Sequence, residues 1–220
     1  MINVIISDDI KEKWPSLAIG SIEANIKIKE DNSQLRQLIN KKCDEINLNI
    51  KPEEILNIKN IAKARAAYKS FGKDPSRYRV SSESLVKRIV KGYGLYKVNT
   101  VVDINNLVSL ECFHSVGTYD LSKISGPITL TLGEKNETYE GIGRGPINLE
   151  NLPVFKDSLG NFGSTTSDSI RAMIKDGTNH ILMNIISYAG DEGLKETISF
   201  ACKLLKDYAA GEIIETKIIM

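Results

Sequence analysis

Apolar and polar residues alternate from Ser21 to Lys29, where Ile22, Ala24, Ile26 and Ile28 oppose Glu23, Asn25, Lys27 and Lys29. A period of two predicts a half-buried strand over that stretch. The period then lengthens. Gln34 to Ile46 places Leu35, Leu38 and Ile39 at i, i+3, i+4, which predicts a helix. Pro52 suits a first helical turn, so a second helix is expected from there to about Ser70, with Phe71-Gly72 as its stop. Ile55, Ile58, Ala62 and Ala66 mark its apolar side. Ser81 or Ser82 caps a third helix, with Leu85, Val86, Ile89 and Val90 inward and Gly92 at its end.

The second half reads mostly as strands. Ile128, Leu130 and Leu132 alternate with threonines before a turn at Gly133-Glu134, and Ile181 to Tyr188 is an apolar strand broken at Asn184. Leu194, Ile198, Ala201, Leu205 and Tyr208 give a closing helix ended by Gly211, and Ile213 to Ile219 a final strand. No repeat, low-complexity segment or linker interrupts this order. The expectation is one α+β domain over residues 1–220, strands covered by helices, with residues 1–60 as an N-terminal strand–helix part of the same unit.

Composition adds little until charge is placed along the chain. Hydrophobic residues make up 41% and charged residues 26%, ordinary for a soluble protein. No apolar run approaches the roughly 20 residues of a membrane helix. Acidic residues at Asp8 and Asp9 stand where a signal peptide keeps its apolar region, so a cytoplasmic location without a membrane partner is expected. Cys43, Cys112 and Cys202 are far apart and form no CxxC pair, which points to reduced thiols and no zinc ribbon. No metal or cofactor is expected.

The net charge of +1 hides an asymmetry. Between Lys59 and Lys97 stand eleven Lys or Arg against Asp74 and Glu83, while the rest of the chain carries 18 basic and 26 acidic residues. A phosphate backbone selects such a segment, and the interleaved Tyr68, Phe71, Tyr78, Tyr93 and Tyr96 offer faces on which bases stack. Lys63, Arg65, Lys69, Arg79, Lys87 and Arg88 are the candidate RNA contacts. A solvated helix face balanced in space by acids from elsewhere accounts for the same run. No DNA partner is expected.

Candidate chemistry is sparse. His114 and His180 are the two histidines, and no HExxH, Walker loop or GxSxG is present. Gly141 to Gly145 reads as a hairpin or turn, because Pro146 follows where a phosphate cradle needs a helix. Ser167 and Asp168, in the polar run Gly163 to Ser169, either bind a polar substrate or cap their own turn. Arg171 offers a fork to an anion, or pairs with Asp168 or Asp157. Glu111 is either a buried partner of Arg65 or Arg79, or an acceptor for a substrate amine, with His114 three residues on. Asn105 and Asn106 lie beside the apolar Leu107, Val108 and Leu110. A buried amide left unpaired costs about 1–3 kcal/mol, so the fold or a ligand must pair them.

This segment resembles the editing region of the phenylalanyl-tRNA synthetase beta subunit, which carries N-x-V-V-D-I-T-N, an apolar stretch with L-E, a G-Q-P-x-H-A-F-D turn and L-x-K-I-x-G. The matching residues are Asn99-Thr100-Val101-Val102-Asp103-Ile104-Asn105-Asn106, Leu110-Glu111, Tyr119-Asp120 and Leu121-Ser122-Lys123-Ile124-Ser125-Gly126. Ala66 to Pro75, Tyr78 to Leu85, Arg88 and Gly92 look like hallmarks of free-standing relatives of that region. The resemblance implies the fold of that editing domain and a site that hydrolyses misacylated tRNA. Asn106 matches the family's Asn, Asn105 replaces its Thr, and its His falls on Gly117. A free-standing protein that binds an aminoacyl-tRNA 3′ end and hydrolyses misacylated tRNA in trans is one expectation. It would act as a deacylase through an oriented water, with no catalytic residue assigned. Asn105, Asn106, Glu111, His114 and Gly117 then shape the substrate pocket, with Ser167, Asp168 and Arg171 on its other side. The glycine at position 117 keeps a second expectation open, a non-catalytic module for a free amino acid or similar metabolite.

Overall fold

A computed structural model describes residues 2–29 and 32–220. The chain runs through β1 (Val4–Ile6), α1 (Asp8–Lys13), β2 (Ala18–Asn25), α2 (Ser33–Asn49), α3 (Lys59–Phe71), α4 (Ser81–Val90) and α5 (Thr100–Cys112). It continues with β3 (Ser115–Asp120), β4 (Ile128–Leu132), the hairpin β5 (Thr138–Gly141) and β6 (Gly145–Asn148), and β7 (Pro153–Asp157) with β8 (Gly160–Ser164). It closes with β9 (His180–Ser187), α6 (Leu194–Ala209) and β10 (Glu212–Ile219).

One antiparallel sheet, ordered β10-β2-β9-β3, divides two cores. Successive side chains on a strand point to opposite faces. Accordingly Ala18, Ile22 and Ala24 of β2 and Ile181, Met183 and Ile185 of β9 meet apolar residues of α2, α4, α5 and α6. Their neighbours Ile19, Leu182 and Ile186 turn the other way, toward Tyr68 and Phe71 of α3 and a second sheet, β1-β4-β7-β8. Within that second sheet β1 pairs with β4 in parallel and the remaining pairs are antiparallel. The fold is α+β with its strands covered by helices. Among the described residues no helix is long and apolar enough to cross a membrane.

Several boundaries differ from the sequence expectation for physical reasons. The strand expected over Ser21 to Lys29 is β2, which begins at Ala18 and is buried on both faces as far as Ala24. Ile26 and Ile28 lie past its end, so the alternation that reveals the strand overshoots it. The helix expected from Pro52 is split. A short 3₁₀ turn, Ile55–Asn57, buries Ile55, and Ile58 (ψ 119°) breaks the helical run before α3 starts. Gly72 stops α3 in the left-handed region at φ 86°. Neither Ser81 nor Ser82 caps α4: Val80 is its N-cap and both serines lie in the first turn. The Asn99 side chain caps α5 by accepting from the Val101 and Val102 amides at 3.1 and 3.0 Å. Gly141 to Gly145 forms the tip of the β5–β6 hairpin, as a turn reading expects.

Candidate functional site

The polar residues of α5 are distributed round the helix. Asn105 turns toward β3, where its Oδ1 accepts from the Thr118 hydroxyl at 2.9 Å, and Asn106 is half-buried one step round. Glu111 faces outward, half exposed, and pairs with Lys42 of α2 at 2.9 Å. The expected partners Arg65 and Arg79 lie elsewhere, because both are drawn to Glu83. His114 is buried beside Asn60, with 3.3 Å between Asn60 Nδ2 and His114 Nε2. Burial lowers its pKa to about 4, which keeps the ring neutral at pH 7.

Thr118 and Gly117 face opposite sides of β3, so the Asn105 contact and the Gly117 position belong to different layers. On the Gly117 side the space is already filled. A Cβ built on Gly117 would meet Tyr119 Oη at 2.3 Å, and one built on Gly163 of β8 would meet the same oxygen at 2.4 Å. Two glycines thus admit one phenol. The Tyr119 ring is held edge-on by Phe162 at 4.9 Å and Phe155 at 5.6 Å. Its hydroxyl donates to Asp168 Oδ1 at 2.9 Å, and the Ser164 amide donates to the same oxygen at 3.0 Å. Burial pushes the Asp168 carboxyl up to about 6 and the Tyr119 phenol well above its usual range. At pH 7 the pair is therefore a neutral phenol donating to a carboxylate.

Asn184 of β9 lies in register between Gly117 of β3 and Ser21 of β2. It is fully buried, and neither Oδ1 nor Nδ2 has a hydrogen-bond partner among the described residues. Such an orphan is costly, and Asn184 is the residue of this layer whose side chain the fold leaves unpaired at both polar atoms. The sequence signals it only as a polar break in an apolar strand. Arg171 lies apart from this group. Its guanidinium forks onto Asp157 at 2.8 and 3.1 Å and donates to the carbonyls of Lys123 and Gly160. Of the two partners the sequence allows, the structure selects Asp157.

The basic segment behaves differently from an even charged face. Glu83 of α4 is fully buried and collects Arg65 at 2.9 Å, Lys87, and Arg79 at 4.0 Å. Arg65 also donates to the Pro75 carbonyl, so it is turned inward. Between α4 and the β5–β6 hairpin lies a groove of two lobes, each about 460 Å³. Arg79, Ser84 and Arg144 line both lobes. Arg77 and Tyr78 join the first, and Lys87, Arg88, Lys91 and Tyr93 join the second. Lys63, Arg65 and Lys69 on α3 line neither. Arg77 and Lys91 belong to the basic segment but not to the six candidate contacts, and Arg144 lies outside that segment because only the hairpin brings it beside α4.

The hairpin is tied down at both ends. Lys73 Nζ donates to the Asn148 and Glu150 carbonyls at 3.3 and 2.5 Å and lies 3.8 Å over the Tyr78 ring. The Tyr139 hydroxyl donates to the Ser167 carbonyl at 2.6 Å, and the Ile142 amide to the Asp168 carbonyl at 3.0 Å. Thr166 and Ser167 line the first lobe, and the next residue, Asp168, is the one that holds Tyr119. One loop thus joins the groove to the Gly117 layer.

Over 66 residues, 29% of this chain, the sequence is 35% identical to the phenylalanine–tRNA ligase beta subunit of Fusobacterium nucleatum subsp. nucleatum. That match spans 8% of the ligase subunit's length. A crystal structure of an N-terminal fragment of the phenylalanyl-tRNA synthetase beta-subunit from Pyrococcus horikoshii aligns with 99% of the chain and 50% of the fragment, at a TM-score of 0.48 and 14% identity. The B3/4 domain signature matches residues 63–209, more than half of the chain, from α3 to the end of α6. The chain belongs to the B3/4 domain family, a domain of the phenylalanyl-tRNA synthetase beta subunit.

Proposed function

We propose that this protein binds the 3′ end of an aminoacyl-tRNA and hydrolyses misacylated tRNA in trans. The observation that carries the reading is the two-lobed groove, lined by six cations and no acid, whose Ser167 wall continues into Asp168 and the Gly117 layer. Phosphates enter the groove. The aminoacyl ester is held nearby against the Ser167–Asp168 turn, whereas Asn105 and Asn106 of α5 lie across the sheet from that turn and take no part. Hydrolysis proceeds by a water that the polar groups of the turn orient.

Deacylation of mischarged tRNAs by wild type and Asp168→Asn tests the reaction. Wild type is expected to hydrolyse above background and the variant more slowly. Background rates in wild type sink the enzyme reading, and equal rates sink the site. The glycine at position 117, where the resemblance places the family's histidine, favours a second reading, in which the protein binds a free amino acid without chemistry. A ligand at 100 times its dissociation constant stabilises by about 2.7 kcal/mol. Thermal shifts with amino acids in the absence of deacylation select that reading.

A further inference from the structure

The division of the groove into two lobes says more than a basic face would, and its meaning rests on the RNA-binding reading above. We propose that the groove is a site for a short single strand of RNA, with one nucleotide in each lobe and the linking phosphate held at the junction by Arg79 and Arg144. These two arginines and Ser84 are the residues common to both lobes, so a bridging anion meets them whichever lobe its nucleosides occupy. A guanidinium offers a fork that fits phosphate oxygens two at a time. Among the described residues no carboxylate pairs with Arg77, Lys91 or Arg144, and the nearest acid on α4, Glu83, is buried under its own cations.

Each lobe also carries an aromatic ring. Tyr93 in the second lobe is 67% exposed, with Arg88 5.6 Å from its centroid. Tyr78 in the first lobe has Lys73 packed on its ring at 3.8 Å, which fixes its orientation. Volumes of about 460 Å³ fall within the roughly 300–1,000 Å³ of small-ligand sites. Bases stacked inside a duplex are unavailable to such rings, whereas splayed single-stranded bases stack on them without sequence preference. That distinction selects a single strand over a helix.

Fluorescence anisotropy with labelled oligouridylates of two, four and eight residues, and with a blunt RNA duplex, tests the site across about 50–200 mM salt. The tetramer and octamer are expected to bind alike, and the duplex at least about tenfold more weakly. Arg144→Ala should lower affinity about tenfold and flatten the slope of log affinity against log salt by about 0.7. Tyr93→Ala should lower affinity at least about fivefold and leave that slope unchanged. Both side chains are exposed, and an unchanged melting temperature verifies that the variants fold. Equal binding of duplex and single strand overturns the assignment, as does an Arg144→Ala variant with unaltered affinity and slope. If whole tRNA binds with a salt slope and the oligonucleotides do not, this site falls while the RNA-binding reading stands. If neither binds, both fall.

Discussion

Gly117 and Tyr119 lie two residues apart on one face of β3, and each limits what the other can be. A methyl at position 117 would sit 2.3 Å from the Tyr119 hydroxyl, so Gly117→Ala should cost about 1–3 kcal/mol, measured by urea unfolding. The cost should shrink in a Tyr119→Phe background, and equal costs in both backgrounds would exclude the hydroxyl as the obstacle. Any larger side chain at position 117, a histidine included, meets the same phenol. Two other residues set opposing pH dependences. Asp168 is raised from 3.8 to about 6, so the stability it allows is present at low pH and is lost as pH rises through 6. His114 is lowered from 6.5 to about 4, so its contribution is present above 6.5 and is lost as pH falls through 4. Each is on the order of 3 kcal/mol in full, and they offset one another between those limits. Asp168→Asn should therefore lose stability steeply from pH 6.5 to 4, and His114→Gln should gain it, in urea midpoints taken at successive pH values. Parallel curves for the two variants would refute the assignment.

At the scale of elements, α4 is organised by its single buried carboxylate. Removing the charge in Glu83→Gln leaves Arg65, Arg79 and Lys87 without their common partner and should destabilise by about 3–5 kcal/mol in chemical denaturation. A loss under 1 kcal/mol would mean that solvent already screens the cluster. The same carboxylate shows how far a linear reading reaches. The basic run was legible in composition, but which cations face a ligand depends on where Glu83 goes, and Arg65 is spent on it. Helices α2, α4 and α6 were legible because their apolar spacing is regular. The β5–β6 hairpin was legible only as a turn, because glycines carry no side chain to show a period. Arg144 owes its place to that hairpin, and Asn184 owes its neighbours to strand register; neither pairing is local in sequence. Glu111 read as either a buried ion-pair partner or a substrate-amine acceptor because apolar residues flank it, yet a helix turns each successive residue by about 100°, which carries it outward to Lys42.

For the whole molecule, one sheet serves as a wall of two cores, so neither core keeps its boundary if the other is lost. We expect residues 1–220 to unfold as one unit. Leu107→Ala in the helical core and Phe162→Ala in the inter-sheet core should each lower the midpoint of the same single transition, followed by circular dichroism and tyrosine fluorescence together. Two separated transitions would show independent cores. The loop from Ser164 to Asp168 has a thermodynamic counterpart to its position. It lines the groove at Ser167 and holds a buried carboxyl at the next residue, so an anion in the groove and a proton on Asp168 act on one element. Negative charge brought close favours the protonated acid, and coupling of this kind is reciprocal. RNA binding should then take up protons near pH 6 and tighten as pH falls toward it. Calorimetric titrations in buffers of different ionisation heats measure that uptake directly, and a binding enthalpy independent of buffer would show that the loop does not couple the two events.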